Sequence, residues 1–317
     1  LKKYAKMANE FRKKMNGEII LHSRKALITR ALIFVVTNRN KLEKKMKDSN
    51  VNKIIKILDL QREIIGVKFL YYKEEYDQID VEEYGLKTTY CNMLKRAMDG
   101  MMFKLTEKNF FCDYGAYATG IKKADISIAR GSSYGACGLY ESNAISRSIT
   151  EEMCYLQHDA YGLLIGPLQK MGDADIAIIV TDAANVMRIL QGYAYKYGMP
   201  KNIRTLGNQA ACSDLTSKPY FKNDLNVSLM CEGARKYMKC SRGELGVGMP
   251  IHQFDAVVEG IIMTVNPVAS AKEKDALLKR LDNDDELGIK IDKTLNYGKK
   301  LDEYDDFVKK INKNIGN

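Results

Sequence analysis

The sequence predicts an α+β (mixed α/β) fold built from two copies of a strand-helix-strand-helix unit. Three observations point there. "DIAIIVTD" (175–182) is apolar almost throughout, as a strand covered on both faces should be. "CNMLKRAMDG" (91–100) and "ANVMRILQGYAYKYG" (184–198) carry helical spacing after β-rich runs. The order strand, helix, strand running into a cysteine, glycine turn and helix occurs twice, which indicates internal duplication. Matching strands would pair across a pseudo-two-fold axis into one mixed sheet with helices packed on it.

The elements follow in order. Residues 1–16 have helical spacing at Tyr4, Met7, Phe11 and Met15, and with the basic stretch behind them form a helical N-terminal extension over 1–48. "NVNKIIKILDL" (50–60) reads as a short amphipathic helix leading into a core of 49–267. The first half of that core, about 60–155, offers a strand in "IIGVKFLYY" (64–72) and the helix 91–100. A strand then enters Cys112 in "KNFFCDYGAYATG" (108–120), and the helix "GLYESNAISRSITEEM" (138–153) closes the half. The second half, about 162–265, offers the strand 175–182, the helix 184–198 and a strand entering Cys212 in "IRTLGNQAACSD" (203–214). "GMPIHQFDAVVEGI" (248–261) closes it. Beyond "VNPVAS" (265–270) the chain turns charged and amphipathic, so 268–317 reads as a peripheral helical C-terminal extension.

Composition narrows the function classes. The chain of 317 residues is 45% hydrophobic and 28% charged, enough apolar material for a sizeable core. Its longest apolar run, "ALIFVV" (31–36), is far too short to span a bilayer, and the first residues hold no apolar signal core. A cytoplasmic protein without membrane contact is expected. The net charge of +10 gathers in 1–48, in "FRKKMNG", "HSRKALITR" and "NRNKLEKKMK". An acidic partner would suit that extension, although a solvated helical surface accounts for it more simply. No nucleic-acid module accompanies the charge, so nucleic acid is not expected. Heavy use of Lys, Ile, Asn and Met suggests the AT-rich genome of an anaerobe.

Several spaced motifs resemble a known family. "GVKF", "CNMLKRAMDG", "FFCDYGAYATG", "QAACSD", "NVSLMCEGARKY" and "VGMPIHQFDAVVEGI" occur in the order found in domain of unknown function 169, also labelled ArCR, over roughly 50–262. The resemblance implies a family cysteine at each of Cys91, Cys112, Cys212 and Cys231, and matches at Arg235 and at Gly248-Met249-Pro250. The turn after Cys112 departs from it: relatives usually read Cys-Pro-Gly-Gly where this chain has Cys112-Asp113-Tyr114-Gly115. The family brings no agreed reaction, so the chemistry has to come from the residues.

Seven cysteines without a secretory signal are reduced thiols by default. Cys91, Cys112, Cys212 and Cys231 give the four anchoring groups of a [4Fe–4S] cluster, one pair per half. Gly115, Gly207 and Gly233 lie near three of them and would let backbone N–H groups approach sulfide closely. Arg235 would balance the charge of a thiolate cluster or orient an anion. His252, at the start of the last core helix, is the candidate for proton transfer. Zinc, a reactive thiol, or cysteines that merely fill apolar gaps are the alternatives. Cys137, in "RGSSYGACG" (130–138), stands before a predicted helix start, where an N-terminus favours thiolate. A small-residue turn explains it equally simply. His158-Asp159 would form a metal or acid–base pair only with partners from elsewhere.

The expected function is therefore an iron–sulfur protein of anaerobic metabolism, in electron transfer or small-molecule redox chemistry, served by a redox partner protein. Two rivals stand beside it. One is a metal-free thiol enzyme acting on a small anionic substrate; the other is a non-catalytic binding module using the basic extension.

Overall fold

The computed structural model describes residues 50–124, 131–156 and 160–264, with residues 309 and 313. Both predicted extensions, apart from those last two residues, and the His158-Asp159 pair lie outside the described residues. The elements are α1 (50–58), β1 (Ile65–Leu70), α2 (Lys73–Gln78), α3 (Tyr90–Met98), β2 (Phe103–Thr106), α4 (Asp113–Ala118), α5 (Ser132–Ala136) and α6 (Asn143–Glu152). Then come β3 (Gly162–Pro167), β4 (Ile176–Asp182), α7 (Ala183–Tyr197), a π-helical segment (Ala210–Ser217), α8 (Lys218–Lys222) and β5 (Asn226–Ser228). The series closes with α9 (Glu232–Tyr237), β6 (Glu244–Pro250) and α10 (Ile251–Met263).

The α+β class is as the sequence predicts. The strands form one sheet in the order β2-β3-β1-β4-β6-β5, and every neighbouring pair is antiparallel. The expectation of a mixed sheet is thus corrected. Strand β4 is apolar on both sides because a helical layer covers each face, not because its neighbours run parallel. Alternation along the strands divides the core in two. Ile65, Val67, Phe69, Ile176, Ile178 and Val180 face one cluster, while Leu70, Ala177 and Ile179 face the other.

The strand order is symmetric about its centre. β1 and β4 meet at the centre, Ile65 opposite Ile178, and outward from each the first, third and second strands of its half follow. β1, β2 and β3 lie on one side of that centre and β4, β5 and β6 on the other. The helices do not repeat. Met93, Leu94 and Ala97 of α3 pack on one face, whereas Val186, Ile189 and Tyr193 of α7 pack on the other.

Two expected strands are absent, both next to cysteines. Before Cys112 a 3-10 turn (Glu107–Asn109) is locked by Asn109, whose side chain accepts from Thr106 N at 2.9 Å and donates to Tyr84 O at 2.6 Å. Before Cys212 the chain turns into the π segment, because its hydroxyls reach carbonyls five residues back. Thr216 Oγ1 donates to Ala211 O and Ser217 Oγ to Cys212 O, both at 2.8 Å. Gly248-Met249-Pro250 ends β6 and does not open the last helix, which starts at Ile251 after the extended Pro250.

Candidate functional site

Four cysteine-bearing segments gather on one face of the sheet. Cys91 lies in the first turn of α3, whose N-cap Thr89 accepts from Asn92 N. Cys112 is the N-cap of α4, Cys212 stands in the first turn of the π segment, and Cys231 is the N-cap of α9. Cys231 Sγ itself accepts the Ala234 N–H at 3.4 Å, as a capping oxygen would.

These segments are pinned to one another. Tyr90, next to Cys91, is fully buried and its hydroxyl bonds Thr216 Oγ1 at 3.0 Å, joining α3 to the π segment. Ser217 Oγ also donates to Ala118 O, joining α4 to the same segment. α9 packs on α3. Gly246 and Gly248 of β6 let the π segment lie directly on the sheet: a methyl at Gly248 would overlap the Leu215 carbonyl. π-helical turns recur at functional sites.

The thiols stand within electrostatic reach of each other. Burial first, then the thiols of Cys231 and Cys112, push Cys91 far above the ordinary cysteine range. Burial first, then Cys91, Cys112 and Cys231, raise Cys212 likewise. The charges of Cys112 and Cys231 thus reach both Cys91 and Cys212. Among the described residues, no three Cys, His, Asp or Glu side chains are grouped as a single metal ion requires.

A fifth thiol, Cys240, joins the group, and sequence reasoning missed it. Burial raises its pKa to about 11, with Arg62 and Arg235 opposing and Cys231 adding to the rise. Arg62 pairs with Glu244, Nη2 to Oε2 at 2.9 Å, and donates to Lys239 O at 3.0 Å, fixing the turn beside Cys240. Gln209, just ahead of the π segment, is also new. It holds a left-handed backbone (φ +49°) and donates to the hydroxyls of Tyr134 and Tyr155 at 2.8 and 2.9 Å. Both phenols feel Cys212, and Gln209 Oε1 is buried with no partner among the described residues. For the π segment the available signal was Ser213 near the end of the expected strand with Thr216 and Ser217 just beyond it, since hydroxyls of this kind compete with regular backbone bonding.

The other predicted residues fare differently. Gly233 stands beside the sulfur: a Cβ there would be 3.8 Å from Cys231 Sγ. Gly115 serves packing, since a Cβ would come within 2.9 Å of Tyr90 Cβ and push α4 off α3. Gly207 has φ +80° with open space around it, so it is a turn glycine. Arg235 is committed to the backbone, donating to Ser241 O and to Leu229 O at 2.9 Å, which staples the loops on either side of Cys231. His252 is exposed on α10, a helix whose Phe254, Val257 and Ile261 fill the opposite cluster. The strand-to-helix turn at Pro250 throws it onto the far face, away from Cys231. Cys137 follows α5 instead of preceding α6, which Ser142 caps.

Fold and site together define an α+β protein that collects its thiols on one side of an antiparallel sheet. All seven cysteines are free. Among the described residues no helix is long and apolar enough to cross a membrane. The chain belongs to the uncharacterised ArCR family, domain of unknown function 169, whose pattern matches residues 53–260. It is similar to an uncharacterised protein of Methanocaldococcus jannaschii, 23% identical over 219 residues that cover 67% of this chain and 92% of that protein. No solved structure matches the chain.

Proposed function

We propose that Cys91, Cys112, Cys212 and Cys231 anchor an iron–sulfur cluster of the four-iron type, used for electron transfer or small-molecule redox chemistry in the cytoplasm of an anaerobe. One observation supports the reading: four thiols remote in sequence stand at or near helix starts, and the charges of Cys112 and Cys231 reach both Cys91 and Cys212. Such a cluster, when bound, supplies a one-electron centre whose potential is set by burial and by hydrogen bonds to sulfur. The chain's own residues provide those settings. Backbone N–H groups of Ala234 and Ser213 address the sulfurs of Cys231 and Cys212. Met230, Ala234 and Met238 keep water from the site, and Arg62 and Arg235 supply positive charge at its edge. The orphaned Gln209 oxygen gives the site a polar group with bonding capacity to spare. Electron transfer further calls for a redox partner protein, and the basic 1–48 segment for an acidic one.

The test is anaerobic purification with iron and sulfide analysis. About four irons with matching acid-labile sulfide are expected per chain, falling sharply in Cys91→Ser, Cys112→Ser, Cys212→Ser and Cys231→Ser but not in Cys137→Ser. Colourless, iron-free protein after anaerobic reconstitution overturns the reading; zinc without sulfide replaces the cluster by zinc.

The metal-free thiol enzyme keeps one observation in its favour, the N–H donated to Cys231 Sγ. Alkylation of Cys231 alone would then abolish turnover. It loses Arg235 as anion holder, because that guanidinium is bound to carbonyls.

A further inference from the structure

The π segment also presents Ser213 and Asp214 to an open cleft of ≈ 490 Å³, within the size range of small-molecule sites. A neighbouring depression of ≈ 420 Å³ shares Cys154, Arg204 and Lys218 with it. Lys218, the first residue of α8, gives the cleft its chemistry. Its Nζ donates to Arg204 O at 2.8 Å, and an ammonium has three donors to place. Burial, opposed by the charge of Asp214, lowers the Lys218 pKa, and the ammonium stays partly exposed at the cleft. Arg204 pairs with Glu152 at the rim, Nη1 to Oε2 at 2.7 Å. Asp214 Oδ2 accepts from Ser228 at 2.8 Å and Thr205 at 3.2 Å. Cys154 is half-buried against the same space.

We propose that this cleft binds a small carboxylate, held by Lys218 beside the Cys154 thiol. A guest carboxylate would accept from the ammonium donors not used on Arg204 O. A monoanion suits the cleft better than phosphate, because Asp214 and Glu152 share it and would repel a doubly charged guest. The cleft goes beyond the cluster reading and does not depend on it.

Iodoacetate and iodoacetamide test the proposal on the full chain, with alkylation of each cysteine read by mass spectrometry. In both reagents the thiolate sulfur displaces iodide and forms a sulfur–carbon bond; only the group offered to Lys218 differs. Relative to exposed Cys137, Cys154 should favour iodoacetate by about tenfold, the worth of one charge-assisted hydrogen bond. Pyruvate should suppress the preference, Lys218→Met abolish it and Lys218→Arg retain it. Equal preference for both reagents, or a preference that survives Lys218→Met, overturns the proposal. Protection by inorganic phosphate but not pyruvate overturns the choice of carboxylate. If Cys154 reacts with neither reagent, calorimetric titration with pyruvate decides. Absent saturable binding, or binding unchanged in Lys218→Met, then overturns it.

Discussion

The two faces of the sheet are covered in different ways. One lies under α7 and α10, regular helices crossing so closely that a Cβ at Gly192 would come within 2.6 Å of Ile261 Cγ1 and of Val257 O. Its buried side chains are almost all aliphatic, and the helix α1 completes it with Val51, Ile54 and Ile57. The other lies under short pieces, α3, α4, the π segment and α9, tied by hydroxyl-to-carbonyl bonds and interrupted at every cysteine. A face built only for stability can use long uniform helices. On the other face a helix begins at or beside each of Cys91, Cys112, Cys212 and Cys231.

Substitutions that separate the two faces test this contrast. The largest effects belong to the glycine contacts. Gly260→Ala drives a methyl into the Gly192 backbone and should lower stability by about 3 kcal/mol in denaturant unfolding. Iron bound per folded molecule should stay unchanged. Gly248→Ala, on the thiol face, should have a similar effect on stability and also lower iron content, because it lifts Leu215 and with it Cys212. Iron loss in both variants, or in neither, would erase the distinction between the faces.

Next in size is Ser217→Ala. It removes the hydroxyl shared by Cys212 O and Ala118 O and should destabilise by about 2 kcal/mol, with reduced iron binding.

A pH effect follows. Burial, against bonds from Ser228 and Thr205 and the charge of Lys218, raises the Asp214 carboxyl from 3.8 to about 6. The folded state then holds the proton more tightly than the unfolded chain. Its contribution to stability is full below about pH 4 and is lost as pH rises through about 6. In Asp214→Asn that decline should vanish from unfolding free energies measured between those limits. An unchanged slope would show that another group produces it.

The smallest effect is expected at His252, exposed on the aliphatic side: His252→Ala should shift stability by under about 0.5 kcal/mol and leave iron untouched. A loss of iron there would bring the two faces into one site.

Reading along the chain captured what periodicity controls. The strands at Ile65–Leu70 and Ile176–Asp182 and the helices at Tyr90–Met98 and Ala183–Tyr197 follow their apolar spacing within a residue or two. The cysteines of interest were legible through their motifs. Less legible were the stretches before Cys112 and Cys212, where side-chain hydrogen bonds replaced the expected strands. Cys240 and Gln209 gave no local sign at all, since proximity to Cys231 and Cys212 exists only after folding.

The sequence by itself determined the α+β class and placed β1, α3, β4 and α7, because apolar spacing is a local property. Tertiary structure alone decided that every strand pair is antiparallel, that Pro250 sends His252 to the far face, and that the π segment puts Cys212 on the same face of the sheet as Cys91 and Cys231. Those outcomes depend on which surfaces bury each other and on which carbonyls capture the hydroxyls of Thr216 and Ser217. No window of sequence contains both partners of such contacts.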